Sequence, residues 1–233
     1  MSDLPNYFGE DVAARYDDET ADLDVEPMVD FLAGLAGDGA ALELGIGTGR
    51  VALPLSQRGV RVHGIDLSEA MVAKLREKPG AEAIDVTVGD FATTRVDGTF
   101  SLAYLVFNTI SNLTTQDAQV ACFENVAAHL EPGGRFVIEV GVSGGPPLEV
   151  FDLNDTHVGV DEFDAATQRL VSHHFTLVDG RWERNSIPFR SAPPGELDLM
   201  ARLAGMRLCE RWSGWKREPF TSQSTKHVSV WEK

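Results

Sequence analysis

The stretch Ala41–Arg50 reads ALELGIGTGR, and its interpretation decides the fold assigned to the whole chain. An apolar run that includes Glu43 comes first and indicates a buried strand. Three glycines, Gly45, Gly47 and Gly49, follow at every second position. Two interpretations of this backbone freedom are open: a tight turn between a strand and a helix, or a loop kept bare so that a ligand can lie against its backbone.

Apolar spacing on either side of this loop alternates between strand-like and helix-like. Ser68 is a suitable helix N-cap, and the sequence EPGG at 131–134 is typical of a helix end. The predicted strands span 40–44, 61–66, 84–88, 100–107 and 135–140, and the predicted helices span 25–36, 48–57, 68–77 and 116–130. This order predicts an α/β fold with a doubly wound, mostly parallel sheet and right-handed crossovers.

The chain changes character after Val140, where the breaker cluster GVSGGPP begins. Two strands at 169–178 and 182–189, joined through Asp179 and Gly180, are predicted to form an antiparallel hairpin. A helix at 193–204 and strands at 208–212 and 227–231 would complete a seven-stranded sheet. Because the segment 141–190 is too short for a core of its own, we predict an insertion into the α/β domain.

The composition of the chain disfavours several classes of binding partner and location. The formal charge is −16, which disfavours binding to nucleic acid or to anionic lipid and leaves a small molecule or a protein as the expected partner. Solubility is the simplest explanation of the acidity itself. No apolar run reaches the length of a membrane span, and the acidic start lacks the order of a secretion signal. Cys122 and Cys209 are too few for a disulfide framework, so we expect a cytoplasmic protein with reduced thiols.

Acidic side chains gather at the ends of the predicted strands. Glu43 lies at the first strand end, Asp66 at the second and Asp90 just past the third, and ligands of open parallel sheets bind beyond these ends. The dinucleotide fingerprint needs G-x-G-x-x-G, but its third glycine position here is Arg50, which argues against a pyrophosphate ligand. Three carboxylates on one rim would repel one another, and a cationic ligand would offset that cost. A nucleoside with an ammonium and a sulfonium group fits this pattern.

Four segments in order carry a resemblance to a known family: ALELGIGTGR (41–50), VHGIDLSEAMVAKLRE (62–77), VTVGDF (86–91) and LEPGGRFVIEV (130–140). They resemble the motifs of class I S-adenosylmethionine-dependent methyltransferases that act on small molecules. The resemblance implies a Rossmann-like methyltransferase fold, S-adenosyl-L-methionine as cofactor and S-adenosyl-L-homocysteine as product. It also implies one methyltransferase domain over 1–233, with an N-terminal helical lid (1–37), a cofactor-binding core (38–140), a substrate-side hairpin insertion (141–190) and a closing helix and strands (191–233).

The resemblance implies roles for individual residues on the cofactor side. Gly45 and Gly47 would form the backbone platform under the methionine part, Glu43 would hold its ammonium group, and Asp66 would bind the ribose hydroxyls. Simpler roles stay open for several of these residues, such as a helix-terminal carboxylate for Asp66 or a core position for Met71. The full set implied to bind the cofactor is Tyr16, Glu43, Gly45, Gly47, Arg50, Asp66, Leu67, Met71, Asp90, Phe91 and Phe107.

The acceptor side carries fewer signals. Asn108 ends the fourth predicted strand, where the reacting centre of the resembled fold lies, and it could orient a nucleophile. Glu139 and Arg190 could line the substrate cavity. No residue stands out as a base, and the candidates for a catalytic role are Asn108, Tyr16 and His174. We predict no metal site.

The predicted reaction is methyl transfer by in-line displacement at the sulfonium methyl group, helped mainly by near-attack geometry. The missing base favours nitrogen slightly over oxygen as the acceptor, because an amine that is already neutral needs no deprotonation. Two alternatives stay open: an adenosyl-ligand binding protein without activity, and a nicotinamide oxidoreductase. The acceptor and the oligomeric state do not follow from the sequence, although the hairpin could join two copies in a homodimer.

Overall fold

The computed structural model describes residues 7–142 and 144–233 and shows a main sheet packed between helices and a second, smaller sheet. The first six residues of the expected N-terminal lid, and Ser143 of the expected insertion, lie outside the described residues. The helices are α1 (Glu10–Glu19), α2 (Glu26–Ala36), α3 (Ala52–Gln57), α4 (Glu69–Arg76), α5 (Gln116–His129) and α6 (Pro194–Leu203). The strands are β1 (Ala40–Leu44), β2 (Arg61–Asp66), β3 (Asp85–Val88), β4 (Phe100–Leu105), β5 (Leu130–Gly141), β6 (Leu148–Leu153), β7 (His157–Asp164), β8 (Arg169–Val178), β9 (Arg181–Arg190), β10 (Arg207–Trp212) and β11 (Lys226–Glu232).

Seven strands form the main sheet in the order β10-β11-β5-β4-β1-β2-β3. The five strands β1 to β5 are parallel, and β11 is antiparallel to both of its neighbours. The chain runs outward from β1 to β2 and β3, then returns to place β4 on the other side of β1. This reversal creates a crevice at the carboxyl ends of β1 and β4, which is where open α/β sheets bind their ligands.

Strand alternation divides the core of the main sheet into two apolar layers. Leu42 and Leu44 face the layer that contains α5 and α6, whereas Ala41 faces the layer that contains α2 and α3. All three side chains are at most 1% exposed. Burial of each large apolar side chain contributes roughly 1.5–3 kcal/mol, so the two layers fix the sheet and with it the position of the loop after β1.

The second sheet has four antiparallel strands in the order β6-β7-β8-β9. The predicted hairpin is its β8–β9 pair, and the turn residues Asp179 and Gly180 have φ of 49° and 76°, as a type I′ turn requires. Strands β6 and β7 were not predicted from the sequence. Most residues of β6 are exposed, and β7 carries Gly159 and several acidic residues, so neither segment shows a strong strand pattern.

Positive φ angles explain two boundaries that differ from the predictions. The helix after the glycine loop begins at Ala52 rather than Thr48, because the left-handed conformation of Gly49 (φ 79°) is incompatible with a helix. Strand β4 ends at Leu105 rather than residue 107, because Phe107 and Asn108 adopt φ of 58° and 60°. The EPGG segment (131–134) was expected to lie between a helix and a strand. It lies inside β5 instead, because β5 begins at Leu130.

The helices that the structure describes include none that is long and apolar enough to cross a membrane.

Candidate active site

The glycine loop after β1 has no room for side chains at Gly45 and Gly49. Gly45 and Gly47 have φ of 75° and 55°, a region that residues with side chains rarely adopt. A Cβ atom at Gly45 would lie 2.7 Å from Cγ2 of Thr109, and one at Gly49 would lie 2.3 Å from Cδ1 of Leu75. The Gly45 N–H donates to the Ile65 carbonyl at 2.8 Å, so the loop is also tied to the end of β2.

Asp66 joins this loop to the start of α4. Its Oδ2 accepts a hydrogen bond from the Gly47 N–H at 2.6 Å, and its Oδ1 accepts one from the Ser68 N–H at 2.8 Å. Ser68 caps α4, as predicted, by accepting from the Met71 N–H at 3.2 Å. Burial raises the pKa of Asp66, and the backbone hydrogen bonds oppose that shift. A carboxylate has about four lone-pair sites, so the side chain keeps acceptor capacity for a ligand hydroxyl.

Glu43 lies beneath the loop and not on an open rim. Its side chain is 3% exposed and accepts a hydrogen bond from the Tyr104 hydroxyl at 2.8 Å. The two residues are register partners on β1 and β4, which places them side by side on one face of the sheet. Burial raises the pKa of Glu43 to about 8. The expected rim of three mutually repelling carboxylates is therefore corrected, because one of the three is buried and largely protonated at neutral pH.

Asp90 lies next to Asp66 at the ends of β2 and β3. The Gly89 N–H donates to the Asp66 carbonyl at 2.8 Å, and Oδ1 of Asp90 accepts from the Ala92 N–H at 2.9 Å. Asp90 thus caps a turn through this contact, and its side chain is half-buried at the same edge of the sheet. Three further residues of the set implied to bind the cofactor follow β2 and β3 too: Met71 and Phe91 are buried and Leu67 is half-buried.

Helix α1 covers the glycine loop. Oδ1 of Asp17 accepts from the Thr48 hydroxyl at 2.6 Å, and Oδ2 of Asp17 lies 2.7 Å from Nζ of Lys78. The carbonyl of Phe8 accepts a hydrogen bond from the Ser68 hydroxyl at the start of α4. These contacts hold the N-terminal segment against the glycine loop and against both ends of α4.

Tyr16, Arg50 and Phe107 converge on the side of the loop that faces β4. The Arg50 guanidinium lies 4.6 Å from the centroid of the Phe107 ring, and Tyr16 hydrogen-bonds to Arg50. Burial raises the pKa of Tyr16. Nε of Arg50 is buried and has no hydrogen-bond partner within 7–142 and 144–233. An unsatisfied buried donor beside bare glycine backbone fits the carboxylate of an amino-acid ligand.

The end of β4 is held in a strained conformation by β5. Phe107 and Asn108 are consecutive non-glycine residues with positive φ, a state that costs on the order of 1–3 kcal/mol per residue. The Phe107 N–H donates to Oε2 of Glu139 at 3.0 Å, and Oδ1 of Asn108 accepts from the Gly141 N–H at 2.7 Å. These bonds fix the Phe107 ring under Arg50 and place Asn108 at the next position.

A cavity of about 340 Å³ adjoins Asn108, between the ends of β4 and β5 and the second sheet. Two acidic residues line it, Asp161 of β7 and Glu149 of β6, and no Lys, Arg or His of the described chain does. Oδ1 of Asp161 is buried without a hydrogen-bond partner in that part of the chain. The other lining residues include Ser111, Gly141, Phe163, Leu170, Ser172 and Phe189.

Some residues expected at the acceptor side lie elsewhere. Phe189 and Ser191 line the cavity, whereas Arg190 between them is 6% exposed and ion-paired with Glu196 at 2.7 Å, because alternate residues of a strand face opposite sides. Glu139 contacts the Phe107 backbone rather than the cavity. His174 does not line the cavity either. It lies on the same face of the second sheet as Ser172, which does line the cavity.

Sequence reasoning missed Asp161, Glu149 and Ser172. The sequence pattern gave little indication of these three residues. They could be found only if β7 were recognised as a strand and paired with β8. In that register Asp161 lies opposite Ser172. No cluster of three or more His, Cys, Asp or Glu residues in the described ranges is arranged to hold a metal ion.

Comparisons with known proteins agree with this geometry. A family profile described as a methyltransferase domain matches residues 41–134. The structure of the CcbJ methyltransferase from Streptomyces caelestis is similar over 96% of each chain, with 36% sequence identity and a TM-score of 0.85. The cypemycin N-terminal methyltransferase from Streptomyces sp is 29% identical over 82% of each chain. The structure of S-adenosylmethionine-bound CalS10, an amino pentose methyltransferase from Micromonospora echinaspora, covers 97% of this chain and 98% of its own, with 21% identity and a TM-score of 0.64.

The sheet order, the bare glycine loop and the unsatisfied Arg50 donor agree with these matches and with S-adenosyl-L-methionine as the cofactor. The similarity to the Streptomyces caelestis enzyme extends over nearly the whole of both chains at more than one third identity. This protein is an enzyme and belongs to the class I S-adenosylmethionine-dependent methyltransferases.

Proposed function

We propose that this enzyme transfers the methyl group of S-adenosyl-L-methionine to a nitrogen of a small-molecule amine that is cationic when it binds. The acidic cavity beside Asn108 is the observation that carries this proposal. It is negatively lined by Asp161 and Glu149, and its volume of about 340 Å³ lies at the small end of the range usual for small-molecule sites. The name of the cypemycin relative, an N-terminal methyltransferase, supports nitrogen as the acceptor atom.

The residues of the glycine loop and of α1 would hold the cofactor. Bound there, the cofactor supplies an electrophilic methyl group on a sulfonium. We assign the amino-acid end to Arg50, Tyr16 and Glu43, the backbone platform to Gly45 and Gly47, and the ribose to Asp66. Leu67, Met71, Asp90 and Phe91 would surround the adenine, and Phe107 would contact the cofactor near Arg50.

Asn108 and Asp161 would orient the acceptor. Asp161 has a buried oxygen without a partner, and this oxygen can accept a charge-assisted hydrogen bond from an ammonium group. Asn108 is held by Gly141 at the point where the cofactor side and the cavity meet. In this arrangement the enzyme contributes mainly by positioning the nitrogen for in-line attack.

The domain division stays a proposal as well. In it, 1–37 acts as a lid over the cofactor-binding core 38–140, the segment 141–190 forms the acceptor side, and 191–233 closes the sheet. A cytoplasmic location, the lack of a nucleic-acid partner and a homodimer also remain predictions.

The substitution Asp161→Asn tests the assignment of the acceptor. Hydrogen bonds to charged groups contribute about 1.5–3 kcal/mol, so we expect KM for a cationic amine to rise roughly 10- to 100-fold with a smaller change in kcat. Release of S-adenosyl-L-homocysteine with a panel of amines and their hydroxyl analogues would provide the measurement. Asp164→Asn is a matched control, because Asp164 lies on the same strand but caps an exposed turn at Ala166 and Thr167. Turnover of the hydroxyl analogues alone would refute an amine acceptor.

A further inference from the structure

Four side chains of the second sheet form a continuous hydrogen-bonded path from the cavity to the protein surface. Oγ of Ser172, which lines the cavity, lies 3.3 Å from Nε2 of His174. Nδ1 of His174 lies 3.2 Å from Nε2 of His157, and Nδ1 of His157 lies 2.6 Å from Oδ2 of Asp152. The Asp152 side chain is 44% exposed, so the path ends in water.

The register of β6, β7 and β8 places these four side chains next to one another, and Phe151 packs over them. Gly159 lies opposite His174, and a Cβ atom at Gly159 would lie 2.3 Å from the Phe151 ring. Phe151 therefore packs over the glycine and reaches His174, with 5.5 Å between the ring centroids. A register shift between Val150 and Asp152 marks a bulge. Because a bulge disturbs the alternation of a strand, the adjacent residues Phe151 and Asp152 both contact the histidine pair.

The contacts allow one direction of hydrogen bonding when Asp152 is ionised and both histidines are neutral. Asp152 can then only accept, so His157 carries its proton on Nδ1 and accepts through Nε2. His174 must donate from Nδ1 and accept through Nε2, and Ser172 donates to it. Every donor along the path points away from the cavity, which is the arrangement that can take up a proton from a group bound beside Ser172.

The charged and titratable groups around His174 come from three elements. They are His157 and Asp161 of β7, Asp152 of β6 and Glu19 of α1. Burial lowers the pKa of His174, which agrees with a neutral imidazole at neutral pH.

An amine acceptor needs a route by which it can lose a proton. An alkyl amine with a pKa near 10 is well under about 1% neutral at pH 7, and a carboxylate such as Asp161 beside it favours the charged form further. The ammonium form has no lone pair with which to attack a methyl group, so a proton must leave before transfer.

We propose that Ser172, His174, His157 and Asp152 form a proton relay that removes this proton from the acceptor; the proposal rests on the proposed function. The ammonium gives a proton to the Ser172 oxygen, and Ser172 passes its own proton to Nε2 of His174. The Nδ1 proton of His174 moves to Nε2 of His157, and the Nδ1 proton of His157 moves to Asp152, which releases it to water. The freed nitrogen lone pair forms the new N–CH₃ bond, and sulfur keeps the electron pair of the broken S–CH₃ bond.

The test compares His174→Gln with His173→Gln. His173 is the matched control, because it is the next residue of β8 but faces the other side of the sheet, where it contacts Ser186 and Glu162. At neutral pH we expect His174→Gln to lower kcat roughly 10²-fold, with KM little changed. The loss should shrink as the pH approaches the acceptor pKa, and it should be smaller for amines of low pKa. His173→Gln should match the wild type.

Ser172→Ala is the second variant, since it cuts the path at the cavity with a smaller structural change. It should show the same dependence on pH and on acceptor pKa. A loss that is the same at every pH and for every amine, or equal behaviour of the His174 and His173 variants, would overturn the relay while leaving amine methylation intact. If the wild type turns over no amine, the proposed function fails and the relay fails with it.

Histidine tautomers give a readout that does not need activity. Imidazole ¹H–¹⁵N spectra of the protein should show the Nδ1–H tautomer at His174 and at His157, and Asp152→Asn should perturb His157 most. The Nε2–H tautomer at either position would contradict the assigned direction.

Discussion

At the scale of single residues, burial decides what the carboxylates of the site can do. Glu43 lies one residue before the end of β1 and Asp66 ends β2, yet Glu43 is buried beneath the loop while Asp66 accepts from two backbone N–H groups. Desolvation disfavours the charged form of a carboxylate, and backbone donors favour it. Glu43 is thus poised to ionise when a cationic group arrives, whereas Asp66 mainly fixes the loop geometry.

The raised pKa of Glu43 makes stability depend on pH. The pKa of about 8 in the folded protein exceeds the ordinary value of 4.5, so the folded state holds a proton that the unfolded chain loses between these values. The stabilisation is complete below pH 4.5 and is lost as the pH rises towards 8. We expect the free energy of unfolding of the wild type, measured by urea denaturation, to fall relative to Glu43→Gln over this window. Parallel curves for the two proteins would show that Glu43 is already ionised in the folded state.

At the scale of elements, Asp17 helps to hold α1 against the glycine loop. Asp17 contacts both Thr48 in the loop and Lys78 after α4. The sequence predicted a helical lid but not this contact, because a surface acid on a short helix has no distinctive pattern. The same is true of β6 and β7, whose pairing with the predicted hairpin is a tertiary event.

The substitution Asp17→Asn should weaken the attachment of α1 to the glycine loop. Partly exposed ion pairs contribute up to about 1 kcal/mol, so we expect the Kd for S-adenosyl-L-methionine, measured by calorimetry, to rise roughly two- to fivefold. Asp18→Asn is the control, since the Asp18 residue is exposed and follows directly on the same helix. Equal affinities for both variants would mean that α1 does not take part in holding the cofactor.

At the scale of the whole molecule, two sheets meet at the site. The main sheet contributes the cofactor edge, and the second sheet contributes Asp161 and Glu149. The chain also has a formal charge of −16, which the sequence alone explained as a source of solubility. Carboxylates inside the cavity add a reason to expect attraction of a cationic acceptor.

Ionic strength should therefore affect cationic and neutral acceptors differently. Screening shortens the Debye length from about 30 Å at 0.01 M to about 10 Å at 0.1 M salt. We expect kcat/KM for a cationic amine to fall several-fold over this range, and that for an amine of low pKa to change little. Steady-state kinetics at constant pH would measure both. A uniform decrease for the two acceptors would point to a general salt effect instead of steering.

The sequence by itself determined the main sheet and the glycine loop at its edge. Their signals are local: apolar alternation that must bury one face, glycines that alone tolerate positive φ, and acids placed at strand ends. The part of the second sheet beyond the predicted hairpin, the acidic cavity and the path of hydrogen-bonded histidines were decided by tertiary structure alone. Asp161, Ser172 and His157 are close in sequence but ordinary one by one, and only the register of β6, β7 and β8 brings their side chains to one face of the second sheet.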